Sequence, residues 1–135
     1  MNTMAVNIPN KIPVYTAMTF NLNGAVSDPG RKLKWINDTF VKTGKADIIL
    51  LQELHWKDMT HVRAAFWPYR GVLRGLSMNP DTATRGVVAW VPGDSALTGL
   101  VHDVCVDTEG RWGLIKISAL SETQHILNVY APSTD

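Results

Sequence analysis

The chain has 135 residues, of which 45% are hydrophobic and 19% charged, and its formal net charge is +1. This composition is typical of one globular domain or part of one, and the near-neutral charge neither demands nor excludes a nucleic-acid partner. No run approaches the roughly 18–20 apolar residues that cross a bilayer, and residues 1–7 lack the pattern of a signal peptide. The single cysteine, Cys105, excludes an internal disulfide and predicts a buried, unreactive thiol in an intracellular protein.

The first predicted element is a β-strand that follows an irregular, frayed lead-in over residues 1–12. From Val14 onward apolar and polar residues alternate with the period of two that is typical of a strand, and Gly24 closes the run. This alternation places Asn21 and Asn23 on the same side of the strand, at its C-terminal end.

A helix and a second strand come next. Residues 27–29 (SDP) are a helix-start signal, Leu33, Ile36 and Phe40 have helical spacing, and Gly44 suits the end of the helix. The four aliphatics of residues 48–51 then predict a strand buried on both faces. Strand, helix and strand form one βαβ unit, so the two strands should be parallel and the crossover right-handed.

The second strand ends on a carboxylate, Glu53, close to the core. Burying an unpaired carboxylate costs several kcal/mol, more than the roughly 1.5–3 kcal/mol gained by burying one aliphatic side chain. Such a Glu needs a cation, a metal or a polar network, unless it simply faces water where the strand ends. Ligands of open α/β sheets collect at the carboxyl ends of strands, which is where Asn21, Asn23 and Glu53 all lie.

The rest of the chain predicts one more helix and then strands only. Residues 56–67 carry Met59, Val62 and Phe66 at helical spacing, and Pro68 ends them. The predicted strands then cover residues 69–74, 85–91, 100–106, 111–118 and 125–130, with a polar loop at 75–84. This layout leaves several strand faces and edges uncovered, which predicts poor solubility.

Five short segments carry a resemblance to a known family. They are residues 19–24 (TFNLNG), 47–55 (DIILLQELH), 86–90 (GVVAW), 110–112 (GRW) and 127–132 (LNVYAP). In this order and spacing they resemble the endonuclease/exonuclease/phosphatase superfamily. Residues 52–55 (QELH) and 128–132 (NVYAP) look most like the endonuclease domains of non-LTR (LINE-type) retrotransposons, which are similar to abasic-site endonucleases.

The resemblance implies an α/β (α+β) two-sheet sandwich of the DNase I-like type, of which residues 13–135 would be the N-terminal half only. Members of the family continue to a Gly-Asp-x-Asn segment, a further Asp and a C-terminal Ser-Asp-His, and the sequence contains none of these. The chain is therefore expected to be a fragment that is inactive alone, because removing members of a catalytic unit leaves little partial activity.

The resemblance also implies roles for individual residues. Glu53 would bind Mg²⁺ (or Mn²⁺) with Asn21 near the same ion, Asn23 and Arg85 would contact the substrate, and Tyr130 would bind the scissile phosphate or orient the nucleophile. Asn23 stands where abasic-site endonucleases usually have Asp, which favours the retrotransposon type and puts a second metal in doubt. Two Asn before a Gly are also good turn formers, and a Tyr before Ala-Pro can be a rim aromatic.

Other conspicuous residues receive structural interpretations. The four histidines, His55, His61, His102 and His125, have no zinc-like spacing and are expected at the surface or in support of the site. A phosphate backbone could be contacted by any of six basic residues, although a solvated face is expected to explain most of them: Arg31, Lys32, Lys34, Arg70, Arg74 and Arg85. Trp56 and Trp67 fit helix packing better than base stacking.

The sequence thus predicts a fragment of a Mg²⁺-dependent phosphodiesterase, most like a retrotransposon endonuclease that nicks DNA and leaves a 3′-hydroxyl. Its expected partners are the DNA phosphate backbone and a reverse transcriptase domain of the same polyprotein, in the nucleus and away from membranes. The alternatives are a degenerate, non-catalytic binding module of the same fold, or a phosphoesterase acting on RNA, lipid or inositol phosphate.

Overall fold

The computed structural model describes residues 8–23, 29–82 and 84–131. The predicted closing residue Gly24 and the start signal at Ser27 and Asp28 lie outside these residues, as does Pro132. In chain order the elements are β1 (Ala17–Asn21), α1 (Pro29–Ile36), a π-helical segment (Asn37–Thr43), β2 (Ile48–Gln52), α2 (Met59–Phe66), β3 (Gly71–Ser77), β4 (Val87–Pro92), β5 (Val101–Val106), β6 (Trp112–Ser118) and β7 (Thr123–Val129).

The strands form two sheets that pack face to face. One sheet has the order β1-β2-β4-β3 and the other the order β5-β6-β7. β1 and β2 are parallel, as the βαβ pattern predicts, and all other neighbours are antiparallel. The helices cover the outer face of the four-stranded sheet.

β2 lies at the centre of the core, and the prediction that both of its faces are buried is confirmed. Ile49 and Leu51 pack with the residues of α1 and α2, whereas Ile48 and Leu50 pack between the two sheets. Because β2 is covered on both faces, its aliphatic side chains are removed from water, each contributing about 1.5–3 kcal/mol. Gln52 continues the inter-sheet face to the end of the strand.

The helices differ from their predictions in two details. The first helix changes to π-helical winding at Asn37, and the wider turn sets Phe40 against Phe20 and Trp35, with ring centroids 5.0 and 5.2 Å apart. The second begins at Met59 and not at Trp56, because the Asp58 carboxylate caps it by accepting hydrogen bonds from the amides of the first turn.

β3 is longer than predicted, since it continues past Arg74 to Ser77 through a register shift. Gly75 has a φ of +61°, and its amide donates to Asp103 Oδ1 at 2.6 Å, so it bends the strand without ending it. Arg74 is one of the basic residues that a solvated face does not explain, because its guanidinium Nε donates to the Val101 carbonyl across the sandwich at 3.2 Å.

Three further predictions are corrected. Cys105 is exposed and not buried, because it lies on an outer strand and shares the outer face of its sheet with Leu114. Trp67 is 86% exposed, since it follows the last residue of α2, although Trp56 is buried against Phe66 as expected. The lead-in is not frayed at its described end, where Pro9 O accepts a hydrogen bond from the Leu120 amide at 2.9 Å. Within the described residues, no helix is long and apolar enough to span a bilayer.

Candidate active site

The predicted residues from β1 and β2 come together through the register of these two strands. Asn21, the last residue of β1, pairs with Gln52, the last residue of β2, and the Leu22 amide donates to the Gln52 carbonyl at 2.9 Å. Glu53 follows immediately. Because paired strands run about 4.8 Å apart, Asn21 and Glu53 leave the same edge of the sheet as near neighbours.

The chain turns sharply just after β2. Glu53 and His55 both have left-handed backbone conformations, with φ values of +55° and +59°. Residues other than Gly pay about 1–3 kcal/mol for such a conformation, and the surrounding structure must hold them there. Here the Leu54 amide donates to Gly86 O at 3.1 Å and the His55 amide donates to Arg85 O at 2.9 Å, while the Leu54 side chain is fully buried.

The side chains of Glu53 and His55 face each other at this turn. His55 Nε2 lies 3.7 Å from Glu53 Oε1, and the two side chains are only 27% and 17% exposed. His55 Nε2 is buried without a hydrogen-bond partner. Within the described part of the chain, the Glu53 carboxylate has no hydrogen bond either. The imidazole nitrogen is therefore buried and the neighbouring carboxylate largely buried, with no hydrogen bond between them, and this donor set suits a divalent cation.

A buried amide network supports the end of β2 from the other sheet. Asn128 of β7 is 2% exposed, and its Nδ2 donates to the carbonyls of Leu51 and Val88 at 3.3 and 3.2 Å. Gln52 Nε2 donates to Asn128 Oδ1 at 2.8 Å and to Thr19 Oγ1 at 2.9 Å. The network ties β7 to the strand end that precedes Glu53. Sequence reasoning missed it, although a polar residue on the inward face of an aliphatic strand is a signal for it.

Tyr130 leaves the sandwich at the same edge. Tyr15 Oη, near the start of β1, donates to Gln124 Oε1 at 2.7 Å, whereas Asn128 contacts Gln52 at the far end of β2. β7 therefore runs in the same direction as β1 and β2. Tyr130, which follows β7 and whose amide donates to Arg111 O at 2.7 Å, lies at the edge that also holds Asn21 and Glu53.

The two asparagines form a local turn. Asn21 Oδ1 accepts a hydrogen bond from the Asn23 amide at 2.7 Å, and Asn23 has a φ of +50°. The two asparagines therefore do form a turn, and its hydrogen bond fixes the orientation of the Asn21 side chain. An amide oxygen has two lone pairs, and among the described residues only the Asn23 amide donates to Asn21 Oδ1, which leaves one acceptor site for another ligand.

Arg85 lies at the same edge, just before β4, in a pair of loops joined by their backbones. Its Nη1 is 4.0 Å from Glu109 Oε2, and that carboxylate also accepts a hydrogen bond from Arg111 Nη2. The Gly86 amide donates to Gly110 O at 2.9 Å. Gly110 has a φ of +78°, and a Cβ there would lie 2.9 Å from the Gly86 nitrogen, so the close approach of the two loops requires glycine.

Asp107 closes the second of these loops. Burial alone would raise the pKa of Asp107, but hydrogen bonds from the Arg111 amide and guanidinium, at 3.0 and 3.2 Å, outweigh burial and lower it. The Arg111 guanidinium is therefore paired with Asp107 within the loop. The remaining histidines, His61, His102 and His125, are exposed, and only His55 belongs to the edge described here.

A comparison with solved structures identifies the class of fold. The two-sheet sandwich is of the DNase I-like type, the fold of nucleases and phosphodiesterases. It resembles the crystal structure of AP endonuclease LMAP from Leishmania major, with a TM-score of 0.64 and 16% sequence identity. The likeness covers 86% of this chain but only 40% of that chain, so it shows the fold alone. No family model matches the sequence, and no match is found among curated proteins.

Proposed function

We propose that this chain is the N-terminal part of a Mg²⁺-dependent phosphodiesterase domain, and that the complete domain nicks DNA as retrotransposon endonucleases do. The DNase I-like fold and the likeness to 40% of an AP endonuclease support the proposal. The QELH and NVYAP segments and the amide at Asn23 favour the retrotransposon type.

The observation that carries the proposal is the state of the Glu53 carboxylate. It is largely buried at the end of β2, next to the end of β1, and no hydrogen bond from the described residues compensates its charge. Partial burial of a carboxylate without a hydrogen bond is unfavourable, and a bound divalent cation would offset that cost. Mg²⁺ needs only one or two protein carboxylates, because waters and substrate phosphate oxygens complete its shell.

In this proposal each residue of the edge has one task. Glu53 holds the ion, and Asn21 contributes its free acceptor site. The ion neutralises charge on the phosphoryl oxygens when water attacks the phosphodiester. Tyr130 donates a hydrogen bond to the scissile phosphate, and Asn23 and Arg85 contact the DNA backbone.

The remaining catalytic groups are proposed to lie in the part of the domain that corresponds to the rest of the neighbour. None of His55, His61, His102 and His125 matches the catalytic histidine of the family motif, so this chain alone is expected to be inactive. Within a complete retrotransposon polyprotein, the domain would act in the nucleus beside a reverse transcriptase domain.

The test joins this chain to the reading frame that follows Asp135 and measures nicking of supercoiled plasmid DNA with Mg²⁺ or with chelator. Glu53→Gln should reduce nicking by at least about a hundredfold, because a metal ligand supplies several kcal/mol of transition-state stabilisation. Asp94→Asn is the matched control, since Asp94 borders a cleft at the opposite end of the sandwich. Undiminished nicking by Glu53→Gln would contradict the proposal.

A further inference from the structure

The buried, unpartnered nitrogen of His55 requires an explanation of its own. More than nine-tenths of buried polar groups in proteins have a hydrogen-bond partner, and leaving one unpaired costs about 1–3 kcal/mol. His55 Nε2 has none, although the Glu53 carboxylate lies 3.7 Å away. That separation is too long for an N–H···O hydrogen bond, which spans about 2.7–3.2 Å.

We propose that His55 Nε2 and Glu53 Oε1 bind the same divalent ion, which makes this edge a site for a transition metal in addition to Mg²⁺. The inference deepens the proposed function and rests on it, because it uses the same ion position beside Glu53. It adds a second protein ligand and the chemical class of the metal.

The separation of the two atoms fits one ion between them. Zinc bonds to imidazole nitrogen and carboxylate oxygen add up to roughly 4.0–4.3 Å. Because 3.7 Å is slightly less than this sum, an ion in contact with both atoms would subtend an angle of roughly 125°. Two charged or polar atoms at this distance with no hydrogen bond between them are placed as metal ligands are.

The backbone sets both side chains before any ion is bound. The left-handed conformations of Glu53 and His55 are held by the amide hydrogen bonds of Leu54 and His55 to the Gly86 and Arg85 carbonyls. Leu54, between them, is fully buried. The two ligands therefore lie on a rigid turn, and less conformational entropy is lost when the metal binds than in a flexible loop.

The donor set determines which ions the site prefers. A carboxylate alone suits Mg²⁺, whereas imidazole suits Zn²⁺ and other late first-row ions. In the described residues no group of three or more His, Cys, Asp and Glu side chains is placed to hold a metal. The remaining positions of the ion would therefore go to Asn21 Oδ1, water and substrate, which leaves the site open on one side as a catalytic site requires.

The experiment measures binding by this chain itself, without reference to nicking. Calorimetry follows Zn²⁺ and Mg²⁺, and absorption spectroscopy follows Co²⁺, for wild type, His55→Gln, Glu53→Gln and the exposed-histidine control His102→Gln. We expect one Zn²⁺ or Co²⁺ per chain, weakened at least about tenfold by His55→Gln and unchanged by His102→Gln. Mg²⁺ binding should be unchanged by His55→Gln and lost in Glu53→Gln.

The outcomes separate the two proposals. If His55→Gln binds Zn²⁺ and Co²⁺ as wild type does, the present inference is overturned, while loss of Mg²⁺ in Glu53→Gln still supports the proposed function. If Glu53→Gln binds Mg²⁺ as wild type does, both fail.

A second measurement on the unmodified chain covers the case in which His55→Gln does not fold. The sequence has four histidines, so nitrogen spectra of their rings show each one separately. Stoichiometric Zn²⁺ should shift the ring nitrogens of one histidine, whose contacts to Leu54 protons identify it as His55. A shift confined to the exposed histidines, or no shift, would overturn the inference.

Discussion

A carboxylate lies at each end of β2, and the two differ in their hydrogen bonding. At the start, Asp47 Oδ2 accepts from the Thr16 amide at 2.9 Å, and Oδ1 accepts from the Ala96 amide at 2.9 Å and from Ser95 Oγ at 3.4 Å. At the other end, Glu53 accepts no hydrogen bond from the described residues and has only the His55 nitrogen at 3.7 Å.

The two ends of β2 differ in the hydrogen bonding of the carboxylate but not in backbone strain. A left-handed residue lies at or within two positions of each carboxylate, since Lys45 has a φ of +54° and Glu53 itself has one of +55°. Strain therefore does not distinguish the two ends. Asp47 stabilises the fold by joining β1, β2 and the turn at Ser95, whereas Glu53 is a largely buried carboxylate that no hydrogen bond from the described residues compensates.

The largest expected effect is the contrast between Asp47→Ala and Glu53→Ala. Asp47→Ala should lower the free energy of unfolding by about 3–4 kcal/mol, because the Thr16 and Ala96 amides lose a charged acceptor. Glu53→Ala should not lower it without metal, because the substitution removes a largely buried carboxylate that accepts no hydrogen bond from the described residues. Urea unfolding followed by the fluorescence of the five tryptophans measures both. An equal loss of unfolding free energy in the two variants would contradict the different roles assigned to Asp47 and Glu53.

A smaller loss is expected from Gly110→Ala, which tests how the Glu53 edge is held. Its Cβ would press on the Gly86 nitrogen at 2.9 Å in a left-handed conformation, at a cost of about 3 kcal/mol. Gly30→Ala is the matched control, because a Cβ there meets nothing within 4 Å. The control should be neutral or up to about 1 kcal/mol more stable. If both substitutions had the same effect, the loop contact would not be a constraint.

Asn128→Ala should cost about 2 kcal/mol, since Gln52 and two strand carbonyls lose a buried partner. Because the network adjoins Glu53, the variant should also weaken Zn²⁺ binding, whereas Asp47→Asn should not. Thermal unfolding and calorimetry on both variants give the two readouts. Normal metal binding by a destabilised Asn128→Ala would show that the network is structural only.

The smallest expected effect concerns Asp107, a carboxylate at the Glu53 edge that is satisfied as Asp47 is. Its pKa in the folded chain is lowered from 3.8, the value expected when unfolded. Its contribution to stability is therefore present above about pH 4 and is lost as pH falls through the lowered pKa. Asp107→Asn should flatten the decrease in urea midpoint between about pH 5 and pH 3. An unchanged slope would contradict the assignment.

The local parts of this fold could be predicted from the sequence. The period-two pattern of residues 14–23 places Tyr15, Thr19 and Asn21 on one face, and Tyr15 and Thr19 do contact the inter-sheet residues Gln124 and Gln52. The aliphatic run of β2 predicted its double burial, and the βαβ order predicted the parallel pair that aligns Asn21 with Gln52. Both follow from rules that act over short stretches of chain.

The non-local parts could not be predicted. The contact of Gln52 with Asn128 joins residues 76 positions apart, which no periodicity indicates. The residues on either side of Cys105 in the sequence are as apolar as those of a central strand. Its exposure follows from the position of β5 at the edge of its sheet, which the sequence does not indicate. His55 was assigned only to the surface or to support of the site, because no ligand spacing along the chain indicates its contact with Glu53, which depends on two left-handed residues.

The contacts of the first described residues determine when the chain can finish folding. Pro9 and Asn10 accept backbone hydrogen bonds from Leu120 and Ser121, and the Ile12 amide donates to Glu122 Oε1, a separation of 110 positions. Residues 9–12 must therefore wait until the β6–β7 hairpin has been synthesised. Docking of the two sheets is therefore expected to be slow, because it depends on contacts between residues far apart in the sequence, and β1 and β2 are exposed to chaperones in the interval.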